Sequence, residues 1–122
     1  MKHQRVAILG ASNHPERYAH MAFRLLREHG HEVLPVHPAL EDIDGVRVVR
    51  SLAELAGPVD TLTLYVRPEI AEGALPQILA LRPGLVIFNP GTESPSLREL
   101  LSREGISSVE ACTLVLLRTG QF

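Results

Sequence analysis

The chemically richest residues gather just after the first apolar run. Val6-Ala7-Ile8-Leu9 ends at Gly10, and Gly10-Ala11-Ser12-Asn13-His14 leads on to Pro15. A glycine directly after a buried parallel strand permits a tight turn into a helix. A dinucleotide fingerprint needs two further glycines here, and neither is present. It also needs an acidic residue at the end of the second strand to hold ribose hydroxyls. That place reads Val36-His37-Pro38, so ordinary NAD binding is disfavoured.

The helix entrance is nevertheless cationic. The positive end of a helix dipole disfavours cations by roughly 0.3–1 kcal/mol each. Yet His14, Arg17 and His20 recur three residues apart, with Arg24 one turn further on. Residues three and four apart are neighbours on a helix, so His14 and Arg17 lie together. A phosphate at the helix N-terminus would turn that penalty into attraction. The same residues equally suit a solvated surface partly balanced by Glu16 or Glu28.

Catalytic and metal constellations are missing from the pattern. Ser12 lacks the second glycine of a nucleophile elbow and any identifiable acid or histidine partner; it reads as a hydroxyl donor to a phosphate. Cys112, the one cysteine, has no histidine near it along the chain, and a nucleophilic thiol needs a base and a lowered pKa. It reads as a small buried residue, with a thiol beside a ligand as the alternative. The six histidines stand at 3, 14, 20, 29, 31 and 37, and no pair has the i, i+4 spacing of a helical metal face. No metal site and no catalytic residue is predicted. Glu41, Asp42 and Asp44 read as a solvated turn before Gly45, and Tyr65 and Phe88 as core residues.

Strand and helix periodicities alternate along the chain to position these groups. Val33-Leu34-Pro35-Val36 is the second strand, and its proline forfeits a ladder donor, which argues for a place towards the sheet edge. Thr61-Leu62-Thr63-Leu64-Tyr65-Val66, Leu85-Val86-Ile87-Phe88 and Ser107-Ser108-Val109-Glu110-Ala111 supply three more. The first helix starts near Pro15, turns Tyr18, Ala22, Leu25 and Leu26 to one face, and stops at Gly30. Ser51-Leu52-Ala53-Glu54 is a capping-box pattern for a short helix ending at Gly57-Pro58. Pro68 opens a helix that Pro76 must interrupt, and Ser94-Pro95 opens one that Gly105 closes. Residues 112–122 are read as either a last helix or a tail.

This order predicts an α/β, Rossmann-like doubly wound domain over residues 1–122: a five-stranded parallel sheet of order 3-2-1-4-5 with helices on both faces. Its crevice lies outside the carboxyl ends of the strands, where the strand order reverses. In that order the lining loops are Gly10-Ala11-Ser12-Asn13-His14 and Asn89-Pro90-Gly91-Thr92-Glu93. His37-Pro38 and Val66-Arg67 flank them.

Composition narrows the classes further. The chain has 122 residues, 45% of them apolar and 21% charged, with mean hydropathy near zero; disordered and fibrous readings are out. A net charge of -2 lacks the basic excess of a non-specific nucleic-acid binder. No apolar run approaches the roughly 18 residues of a membrane helix. Met1-Lys2-His3-Gln4-Arg5 leads directly into a strand without a secretory pattern, and one cysteine excludes an internal disulfide framework. The expected setting is cytoplasmic, without nucleic-acid or membrane partners. Leu116, Leu117 and Phe122 suit a homodimer contact, and equally docking back on the domain.

The string VAILGASNHPERYAHMAFRLLREHGHEVLPVHP resembles the opening of the stand-alone CoA-binding domain proteins. These are similar in turn to the N-terminal domain of the succinyl-CoA ligase α subunit. Gly10, Ala11, Ser12, Asn13, Pro15 and Arg17 match the family's opening, Val36-His37-Pro38 its valine-x-proline, and Val59-Asp60 its later aspartate. The resemblance implies a small cytoplasmic protein that binds coenzyme A or acyl-CoA, with no chemistry of its own. It implies phosphates near Ser12 to Arg17, held by backbone donors at Ala11, Ser12 and Asn13 together with Arg17. His37 or Arg67 would take another phosphate or stack on adenine, and Val36, Pro38 and Val66 would form an apolar edge. The loop Asn89, Pro90, Gly91, Thr92 would complete the site. Departures fall at Ala19-His20, at His37, in that last loop, and at Glu110-Ala111-Cys112-Thr113. The alternatives are an interaction protein with a vestigial site, or a minimal nucleotide-dependent enzyme using Cys112.

Overall fold

The computed structural model describes residues 3–122; Met1 and Lys2, part of the N-terminal reading above, lie outside them. Five parallel strands form the sheet: β1 (Arg5–Leu9), β2 (Glu32–Val36), β5 (Thr61–Leu64), β6 (Leu85–Phe88) and β7 (Ser108–Glu110). Between β2 and β5 lie a two-stranded hairpin, β3 (Asp42–Ile43) and β4 (Val46–Arg47), and one 3₁₀ turn (Leu52–Glu54). The helices are α1 (Tyr18–Glu28), α2 (Pro68–Gly73), α3 (Leu75–Leu81), α4 (Pro95–Arg103) and α5 (Thr113–Arg118).

The fold class agrees with the sequence reading, but the strand order does not. The sheet runs β2-β1-β5-β6-β7, which in the predicted numbering of five strands is 2-1-3-4-5 rather than 3-2-1-4-5. The reason is local. Thr61–Leu64 is buried on both faces, which suits a strand between two neighbours, and it pairs with β1 on one side and β6 on the other. Pro35 keeps β2 at the edge, as its missing donor requires. The chain reverses direction across the sheet between β1 and β5, and the switch point moves there from the predicted β1/β6 boundary.

Alternation along the strands feeds two cores. Val6, Ile8 and Val33 face α1 and α5, packing with Phe23, Leu26 and Leu117. Ala7, Leu62, Leu64, Val86 and Phe88 face the other way, against Ala71, Ile78, Leu97 and Leu101. Each large side chain so buried contributes about 1.5–3 kcal/mol. Tyr18 does not join this packing: it is 70% exposed at the start of α1.

Local signals fare differently. Gly30, at φ +87, ends α1 with bonds from its own N–H to Arg27 O and from His31 N–H to Leu26 O, the Schellman pattern. Ser94 Oγ accepts from Leu97 N–H and so caps α4. Pro76 splits the predicted long helix into α2 and α3. The capping box at Ser51 does not form; its side chain makes no cap bond, and the helix is one 3₁₀ turn. The expected solvated turn at Asp44-Gly45 is the tip of the hairpin, both residues at positive φ, as a two-residue I′ turn requires. Residues 112–122 form α5 and a tail that docks back, the Phe122 ring 5.1 Å from that of His31. Among the described residues no helix is long and apolar enough to cross a membrane.

Candidate functional site

A cleft of about 750 Å³ opens at the carboxyl ends of β1, β2 and β5, the place an α/β sheet reserves for ligands. Gly10, Ala11, Ser12, Asn13 and Arg17 line it from the β1–α1 loop. Val36, His37 and Pro38 line it from the end of β2, and Val66 and Arg67 from the end of β5.

Gly10 is what lets these walls approach. Its φ is +90, and a Cβ there would stand 2.6 Å from Tyr65 O and 2.7 Å from Val66 Cγ1. The β1 turn therefore touches the β5 exit directly, which only glycine permits. The N–H groups of Gly10 and Ala11 both donate to Val36 O, at 3.1 and 3.2 Å. Ala11 is thus a structural tie between β1 and β2, not the free phosphate donor expected of it. Beyond it, the amides of Ser12 and Asn13 donate to no acceptor among the described residues. Ser12 Oγ accepts from His14 N–H at 3.1 Å, so its own proton is free for a ligand.

The loop Asn89, Pro90, Gly91, Thr92 does not reach the cleft. With β5 beside β1, this loop lies one strand further out than the predicted order placed it. Asn89 is buried and fully used: Nδ2 donates to Thr63 Oγ1 and Leu64 O, and Oδ1 accepts from Thr113 N–H at 2.9 Å. Thr92 is buried as well, its hydroxyl donating to Asn89 O. Cys112 is half-buried at the N-cap of α5 and does not line the cleft.

Several lining residues carried no binding role in the sequence reading. Tyr18 and Ile70 place exposed apolar surface at the cleft. Arg50 arrives from beyond the hairpin. Tyr65, expected in the core, has one side in the cleft; burial pushes its phenol up to about 12, Cys112 reinforcing and the Thr113 side chain opposing the shift. Only Tyr18 left a usable signal, since it stands at the very start of the helix, where a side chain flanks the N-terminal loop.

The electrostatics are one-sided. His14, Arg17, His37, Arg50 and Arg67 line the cleft, and no aspartate or glutamate does. None of the three arginines meets a carboxylate within 4.0 Å among the described residues. Unpaired guanidinium groups beside free backbone amides make a receptor for a multiply charged anion. Among the described residues no three His, Cys, Asp or Glu side chains gather into a metal site.

A sequence model described as "CoA binding domain" matches residues 4–118. The chain is 28% identical over 102 residues to an uncharacterized protein, YneT, of Bacillus subtilis, covering 84% of this chain and 76% of that one. It is 32% identical over 71 residues to the α subunit of an ADP-forming acetate–CoA ligase II of Pyrococcus furiosus, covering 57% of this chain but only 16% of the subunit. A crystal structure of an uncharacterized protein superposes with a TM-score of 0.93 at 41% identity over the full length of both chains.

Proposed function

The chain belongs to the CoA binding domain family, and from that premise we propose that it binds coenzyme A or an acyl-CoA in the cleft and carries out no chemistry of its own. The observation that supports this best is the cleft's charge: five cationic or potentially cationic side chains and no carboxylate. CoA brings a pyrophosphate, a ribose phosphate and an adenine on a long arm, so its charge is spread as the cleft's is. The pyrophosphate takes the free amides of Ser12 and Asn13, the Ser12 hydroxyl and the Arg17 guanidinium, at the positive end of α1. Arg67 adds charge from the opposite wall. Val36, Pro38, Val66 and Ile70 supply apolar surface for adenine or the pantetheine arm.

Calorimetric titration of CoA into the chain and into Arg17→Ala tests the reading. A charge-assisted hydrogen bond contributes roughly 1.5–3 kcal/mol, so the substitution weakens CoA by about ten-fold or more. An unchanged affinity would remove Arg17 from the phosphate site.

A further inference from the structure

Four large hydrophobic side chains stand exposed among the described residues: Tyr18, Ile70, Leu100 and Val115. Leu100 and Val115 stand singly on α4 and α5, as isolated surface hydrophobics commonly do. Tyr18, 70% exposed, and Ile70, 48% exposed, instead share one opening, because both line the cleft. Each sits in the first turn of its helix, Tyr18 in α1 and Ile70 in α2. The two helices cover opposite faces of the sheet, since Phe23 and Leu26 of α1 pack into one core and Ala71 of α2 into the other. The crevice at the ends of β1 and β5, which pair side by side, thus has an exposed hydrophobic side chain on each lip.

Side chains of this size forgo in water the stabilisation that burial gives them, and an apolar group lying between the lips recovers it. The course of a nucleotide through such a sheet says which group that is. Adenosine lies towards the end of the second strand, and its phosphates sit on the N-terminus of the first helix. The rest of the molecule then runs to the other side of β1, past Val66 and Arg67, and leaves between Tyr18 and Ile70. In CoA that part is the pantetheine arm, which ends in a thiol. A thiol offers the lips little apolar area. The acyl chain of a thioester begins where the thiol ends and carries apolar surface out to them.

We propose that Tyr18 and Ile70 form an acyl clamp, through which the chain prefers CoA thioesters of medium-length apolar acids to free CoA. This deepens the CoA reading and rests on it: the thioester, rather than the free thiol, is the form the cleft is shaped to hold.

The test is calorimetric titration of the unsubstituted chain, Tyr18→Ser and Tyr18→Phe with CoA and with hexanoyl-CoA. Each methylene removed from water contributes about four-fold in affinity. With its chain half covered, hexanoyl-CoA therefore binds the unsubstituted protein about ten-fold or more tighter than CoA does. Tyr18→Ser brings that ratio close to one, whereas Tyr18→Phe keeps it, because the ring and not the hydroxyl makes the contact. Thermal unfolding of each variant without ligand serves as the folding control. Equal affinities of the unsubstituted chain for the two ligands, or a ratio that Tyr18→Ser leaves unchanged, overturn the clamp but leave the CoA reading standing. Failure of both ligands to bind the unsubstituted chain overturns both.

Discussion

His31 links the N-terminal strand to the C-terminal tail through one ring. It is buried, its Nδ1 accepts from Gln4 N–H at 3.0 Å, and Phe122 lies against it. Burial first, then the neighbouring His29 and His3, lowers its pKa from 6.5. A histidine whose pKa is lower folded than unfolded binds its proton more readily in the unfolded chain. Its effect is therefore nil above pH 6.5, grows as pH falls below 6.5, and is complete below the folded pKa. Denaturant titrations at pH 7.5 and about pH 5.5 check this: the unsubstituted chain loses more stability than His31→Gln over that interval. Parallel losses would place the acid sensitivity elsewhere. At the same scale, Gly10 and Arg17 were legible as turn and cation because their types fit a strand-to-helix loop. Arg50 was not, because its position depends on one bridge between Val49 and Val36 that no local pattern announces.

At the scale of elements, the strands and most helix boundaries follow from apolar runs, prolines and glycines, and so were readable. Strand order was not. It depends on how residues 37–60 cross the sheet, and that segment folds as a hairpin and a 3₁₀ turn where a capping box suggested a helix. The misplacement had a functional consequence, since it put the loop after β6 in the crevice. In the folded chain that loop is a structural tie, with Asn89 joining β5, β6 and α5 through Thr63, Leu64 and Thr113. Asn89→Ala leaves those buried groups unpaired and costs about 2–4 kcal/mol of stability, with the CoA affinity of the folded protein unchanged. Denaturant unfolding and calorimetry of the same variant check the two halves. Lost affinity at full stability would return the loop to the binding site.

For the molecule as a whole, the charge balance conceals the site. A net charge of -2 describes a mildly acidic protein, yet the cleft concentrates arginine and histidine and the carboxylates lie elsewhere on the surface. Sequence alone holds the counts, and only the fold segregates them. The central claim is that this segregation serves a CoA-type ligand, and thermal unfolding with CoA, with NAD as the comparison, tests it most directly. A ligand bound only to the native state stabilises it by about 2.7 kcal/mol at a hundred times its Kd, which for a chain of this size raises Tm by about 8–12 °C. The account predicts a dose-dependent rise with CoA and little with NAD; no rise with CoA, or an equal rise with NAD, would contradict it.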